Sequence, residues 1–90
     1  MKILIIEDEV ILAQSLKALL EKKGFEVQVC YDGESGTDYA LLGIYDLLIL
    51  DVMMPKIDGY QVARQVRAQR CSTPILMLTA TSALEDRIAG

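Results

Sequence analysis

The sequence predicts an α/β domain, a parallel sheet with helices on both faces, and three observations carry that prediction. The runs Ile3–Ile6, Leu47–Leu50 and Pro74 to Thr79 show almost no alternation of apolar and polar residues, so they read as strands covered on both sides. Stretches with helical spacing separate them, which calls for right-handed crossover connections in a doubly wound sheet. Two of the runs break off in carboxylates, Glu7-Asp8-Glu9 after one and Asp51 after the other. In open α/β sheets ligands bind beyond the carboxyl ends of the strands.

Each element has its own local reason. After the first strand, Leu12, Leu16, Leu19 and Leu20 recur at i, i+4, i+7 and i+8, which predicts a helix from Glu9 to Lys23 with those leucines inward. Lys22, Lys23 and Gly24 end it by complementing the dipole and supplying a left-handed cap. Phe25 to Cys30 alternates, with Phe25, Val27 and Val29 on one side and Glu26 and Gln28 on the other, as an edge strand does. Asp32-Gly33 opens a turn into a helix from Glu34 to Leu42, although Gly36, Thr37 and Gly43 have poor helix propensity.

The strand ending at Asp51 follows, stopped by Pro55. Asp58-Gly-Tyr-Gln61 then has the form of a capping box, and the helix it starts turns Val62, Ala63 and Val66 inward and Arg64, Arg67 and Arg70 outward. After the fourth strand, Ser82 to Ile88 opens one more helix. No repeat or linker interrupts the β-α-β-α-β-α-β-α order.

Ninety residues with 52% hydrophobic and 24% charged side chains describe one ordered domain with a thin core. A net charge of −4 argues against this segment gripping a phosphate backbone, so direct nucleic-acid contact is not expected. No run approaches the roughly 20 apolar residues of a membrane span, and no secretory signal is legible, so a cytoplasmic protein is expected. Cys30 and Cys71 form no C-x-x-C pair and the chain has no histidine, which suggests neither zinc nor a disulfide framework.

Parallel strands bring Glu7, Asp8, Asp51 and Thr79 to one sheet edge. Carboxylates about 4 Å apart repel by on the order of 4 kcal/mol per pair at an effective dielectric of 20, so such a cluster needs raised pKa values or a cation. Hard oxygen ligands suit Mg²⁺, which commonly shares its shell with a phosphate. Asp51 could then act as a carboxylate nucleophile toward a phosphoryl group, with Thr79 donating to a phosphoryl oxygen.

Each residue alone has a plainer reading. Acids after a strand can simply favour the dipole of the next helix, Thr79 can be an ordinary strand threonine, and Asp58-Gly59 can be only a cap. Met53, Met54 and Met77 read as core filling, and the arginine row as a solvated helix face. Two buried strands ending in acids at one edge outweigh these readings, because the arrangement is costly unless used.

The runs ending Glu7-Asp8-Glu9, Asp51-Val-Met-Met-Pro55, Asp58-Gly59 and Thr79-Ala80 together resemble the receiver domain of bacterial two-component response regulators. The resemblance implies a flavodoxin-like fold with strand order 2-1-3-4, and Asp51 as acceptor of a phosphoryl group from a phosphohistidine on a sensor histidine kinase. It further implies that Asp8 and Asp51 hold Mg²⁺ directly, that Glu7 helps through water, and that the backbone carbonyl of Met53 is a ligand. Thr79 would be the switch hydroxyl, and small Ala80 would leave room at the site. Residues 78–90 also resemble the branch whose receivers precede a winged-helix DNA-binding domain, which implies a transcriptional regulator as the parent protein.

Receivers also carry a fifth strand with a lysine and an aromatic switch residue, and a fifth helix; none of these stands in this chain. The expectation is therefore a truncated receiver over residues 1–90 with no catalytic lysine, whose open edge and bare face invite self-association. Three other classes compete. A Mg²⁺-dependent phosphohydrolase wants an acid two residues after its nucleophile, where Met53 stands. A flavodoxin-like cofactor binder wants a glycine-rich loop in place of Glu7-Asp8-Glu9. A non-phosphorylated interaction module on the receiver fold would have no use for the acids, whereas the absence of the lysine-bearing strand keeps that alternative open.

Overall fold

The computed structural model describes residues 1–78, and within them lie β1 (Lys2–Ile6), α1 (Val10–Lys22), β2 (Glu26–Cys30), α2 (Gly33–Ala40), β3 (Leu47–Asp51), α3 (Gly59–Ala68) and β4 (Ile75–Leu78). The expected helix from Ser82 to Ile88 lies outside the described residues, as do Thr79 and Ala80. The strands are parallel in the order β2-β1-β3-β4, as expected for a flavodoxin-like sheet. Crossing from β2 past β1 to β3 reverses the winding direction and places α1 on one face, α2 and α3 on the other.

Alternate residues of each strand serve the two faces. Leu4, Ile6, Leu48 and Leu50 point toward α2 and α3, where they pack with Cys30, Ala40, Met54, Val62 and Val66. Ile3, Ile5 and Ile49 point the other way, toward Leu16 and Leu20 of α1 and toward Phe25, Val27 and Val29. This is why Ile3–Ile6 and Leu47–Leu50 of the central strands are apolar at every position.

Two helices depart from expectation. On α1, Leu12 and Leu19 are exposed and the buried residue is Ala13, with Leu16 and Leu20 half-buried. The small side chain lets the helix sit close over β1 and β2, which turns Leu12 and Leu19 outward. On α2, the poor helix formers have packing roles. A Cβ at Gly36 would stand 2.5 Å from the Ile6 side chain, and one at Gly33 would stand 2.8 Å from the Ile57 carbonyl oxygen. The helix begins at Gly33, one residue earlier than the spacing suggests, because Asp32 caps it by accepting from the Ser35 N–H at 2.7 Å. The buried Thr37 hydroxyl donates back to the Gly33 carbonyl at 2.7 Å.

The remaining local readings are met. Gly24 takes φ +94° beyond the end of α1. Asp58 and Gln61 form a reciprocal capping box at 2.9 Å in each direction, and Val62 and Val66 are fully buried while Arg64, Arg67 and Arg70 are exposed. Cys30 is buried and free, with burial and the Asp32 charge raising its thiol to about 11, far from thiolate chemistry at neutral pH.

Candidate metal centre

The acid cluster follows from strand register. Ile6 pairs with Leu50 across the β1/β3 ladder, so the residues just beyond, Glu7 and Asp8 on one strand and Asp51 on the other, emerge side by side. The Glu7 N–H donates to the Cys30 carbonyl at 3.0 Å, extending the ladder with β2 and holding Glu7 in line. One carboxylate oxygen from each of Glu7, Asp8 and Asp51 can be chosen so that all lie within 4.8 Å of one another.

The three acids differ in environment. Glu7 is 1% exposed, Asp51 is half-buried and Asp8 is exposed. Burial first, then the neighbouring Asp51 carboxylate to which a protonated Glu7 donates, then the charges of Asp51, Asp8 and Glu9, push the Glu7 carboxyl from 4.5 up to about 8. Its buried Oε2 has no hydrogen-bond partner among the described residues. Buried polar atoms are normally satisfied, so an orphaned oxygen facing two more carboxylates fits a proton or a cation. A hard, oxygen-only donor set with an open mouth suits Mg²⁺.

The loop after β3 is built around the same point. The Met53 N–H donates to Asp51 Oδ1 at 3.1 Å, and the Gly59 N–H donates to the Val52 carbonyl at 3.1 Å. A Cβ at Gly59 would stand 2.3 Å from the Asp51 carbonyl oxygen, so only glycine lets the start of α3 close on the acid-bearing strand end. Gly59 is thus more than part of a cap, a role no local pattern announces. Met53 also departs from expectation: its side chain is 63% exposed and fills no core, whereas Met54 beside it is buried. The strand ends at Asp51 and the chain turns, so successive side chains no longer alternate between covered faces. Glu7, Asp8 and Asp51 come together as the sequence suggests, and Met53 reaches Asp51 through its N–H; Thr79 and Ala80 lie outside the described residues.

A doubly wound domain whose first and third strands present acids at the switch in winding direction belongs to the class of acidic-pocket α/β domains. Residues 3–90 match the response regulator receiver domain, and the chain belongs to that family. It is 43% identical over 90 residues to the transcriptional regulatory protein DltR of Streptococcus agalactiae, covering all of this chain and 40% of that protein. To the response regulator ArlR of Staphylococcus aureus it is 46% identical over 89 residues, covering 99% of this chain and 40% of the relative. The chain therefore spans two fifths of the length of these relatives. The crystal structure of response regulator TrrA from Thermotoga maritima, in complex with Mg²⁺ and BeF, superposes with a TM-score of 0.84 at 35% identity over 94% of this chain and 74% of that one. Its relatives thus include a transcriptional regulatory protein and a response regulator, and no helix among the described residues is long and apolar enough to cross a membrane.

Proposed function

We propose that residues 1–90 form one phosphoacceptor domain, in which Asp51 takes a phosphoryl group from a phosphohistidine of a sensor histidine kinase and thereby switches a transcriptional output domain. The observation that carries this reading is the gathering of Glu7, Asp8 and Asp51 oxygens within 4.8 Å of one another, with the buried Glu7 Oε2 left unpartnered among the described residues. In the transfer, an Asp51 carboxylate oxygen bonds to phosphorus as the phosphorus–nitrogen bond of the donor breaks, leaving an acyl phosphate on the chain itself. The chain is the acceptor and not an enzyme acting on a separate substrate.

Asp8 and Asp51 would hold Mg²⁺ directly, Glu7 through water, and the Met53 carbonyl would complete the protein ligands. Bound there, the ion supplies neutralisation of charge on the phosphoryl oxygens. Met53 keeps Asp51 aimed through its N–H, and Gly59 keeps the loop against the strand end. We assign Thr79 the switch hydroxyl and Ala80 the small neighbour, as the resemblance of Thr79-Ala80 to the receiver motif implies. A cytoplasmic location agrees with a kinase partner and a DNA-regulating output. The solitary domain is assigned self-association, because β4 carries the exposed Leu76 and pairs only with β3 among the described residues. A monodisperse monomer in sedimentation would count against that assignment.

The test is intact mass after incubation with Mg²⁺ and a small acyl-phosphate donor. One added phosphoryl group on the parent and none on Asp51→Asn is expected. Equal gain on both chains would remove Asp51 from the role, and no gain on either would favour an interaction module that never uses the acids.

A further inference from the structure

The chain has methionines at positions 1, 53, 54 and 77, and they differ sharply in access. Met54 is buried in the core beneath α2 and α3, Met77 is half-buried against it, and Met53 is 63% exposed, more than any other large apolar residue described except Ile11. Met1 is also exposed, but it stands at the amino end of the sheet, where its carbonyl accepts from Glu26. Met53 alone lies at the acid cluster, its N–H on Asp51 Oδ1.

A thioether in water is open to chemistry that a buried one is spared. Oxidation to the sulfoxide turns a flexible apolar side chain into a polar one, and reductases reverse it. We propose that Met53 is a reversible oxidation site that sets the lifetime of the phosphoryl group on Asp51, an inference that rests on the acceptor reading above. The oxidant is a hydroperoxide. The sulfur lone pair takes one peroxide oxygen, the S–O bond forming as the O–O bond breaks, and the other oxygen leaves with its protons as water or, from an organic peroxide, as an alcohol. Sulfur is oxidised by two electrons and the peroxide reduced by two.

The consequence follows from position. An acyl phosphate is lost when water attacks phosphorus, and the exposed Met53 thioether, two residues beyond Asp51, is only a weak acceptor for water. A sulfoxide oxygen is a strong acceptor that holds water beside Asp51, so oxidation shortens the lifetime. Met54, one residue on, shares the local sequence and differs in burial, which makes it the internal control.

The experiment treats the chain with limiting hydrogen peroxide, maps oxygen addition by peptide mass, and then follows loss of the phosphoryl group by intact mass. Parent and Met53→Leu are each compared with their own untreated sample, and a methionine sulfoxide reductase is added to half of the treated parent. The expected result is oxygen on Met53 well before Met54, a lifetime at least halved in the treated parent and restored by the reductase, and no response to peroxide in Met53→Leu. Oxidation of Met53 no faster than Met54, or full oxidation with an unchanged lifetime, overturns the proposal. If the untreated parent takes no phosphoryl group, it is the acceptor reading that fails. Titration of Mg²⁺ onto oxidised and reduced chain then decides for Met53: a shifted affinity keeps it as a regulator of the acid cluster, and an unchanged one removes it.

Discussion

The two faces of the sheet are built from the same four strands yet hold their helices differently. Beneath α2 and α3, Leu4, Ile6, Leu48, Leu50, Val62 and Val66 have no exposed surface, and Gly33, Gly36 and Gly59 let backbone approach to distances that any Cβ would block. Across the sheet, α1 buries only Ala13 fully and leaves Val10, Ile11, Leu12 and Leu19 exposed. The acid cluster takes its loops from both sides, Glu7 and Asp8 leading into α1 and Asp51 leading into α3. The comparison teaches that the closely packed half of the site is the Asp51 side, where α3 is seated on the strand end, while the Asp8 side is carried by a helix held mainly along β1 and β2.

The sharpest way to break this contrast is to truncate one leucine on each face. Leu50→Ala removes a fully buried side chain and should cost about 2–5 kcal/mol, whereas Leu19→Ala removes one that is already exposed and should stay within about 0.5 kcal/mol. Urea denaturation of the two variants checks this, and equal losses would sink the contrast. Gly59→Ala comes next, at about 1–3 kcal/mol from overpacking, because its Cβ meets the Asp51 backbone and cannot be relieved by moving a side-chain tip. It should also slow phosphoryl acceptance, whereas Gly59→Ala with parental acceptance would show that α3 does not set the geometry of Asp51.

The Glu7 carboxyl adds a pH dependence. Its folded-state pKa of about 8 lies above its ordinary 4.5, so between these values the folded chain holds a proton that the unfolded chain has lost. Stability of the metal-free chain therefore falls as pH rises through that window and levels off above about 8. Thermal midpoints across the window should show the decline, Glu7→Gln should flatten it, and Mg²⁺ should offset it in the parent. A parent profile as flat as that of Glu7→Gln would mean the carboxyl is not held protonated. The smallest effect is expected from Asp58→Ala, which loses the cap of α3 at about 1 kcal/mol and should leave Mg²⁺ affinity near the parental value by titration calorimetry.

Much of this was legible in the residues because it depends on short-range order. The capping box at Asp58 and Gln61 is a contact three residues long, and the apolar runs that end in Glu7 and Asp51 declare buried strands whatever surrounds them. Alternating strands and helices then leave the parallel sheet as the natural arrangement, and with it the meeting of the acids. Gly36 was misleading in the same terms, since propensity marks it as a weak point of α2, whereas its contact with Ile6 lies thirty residues away in sequence.

By itself, then, the sequence determined the order of elements, the parallel sheet, the acid-tipped strands and the family to which they belong. Only the tertiary structure decided that Glu7 is buried while the adjacent Asp8 is exposed, that Ala13 and not Leu12 or Leu19 faces the sheet, that Gly59 seats α3 on Asp51, and that Met53 stands in water while Met54 does not. The physical reason is common to all four. Burial and close approach depend on which distant surface each side chain meets, and no periodicity along the chain carries that information.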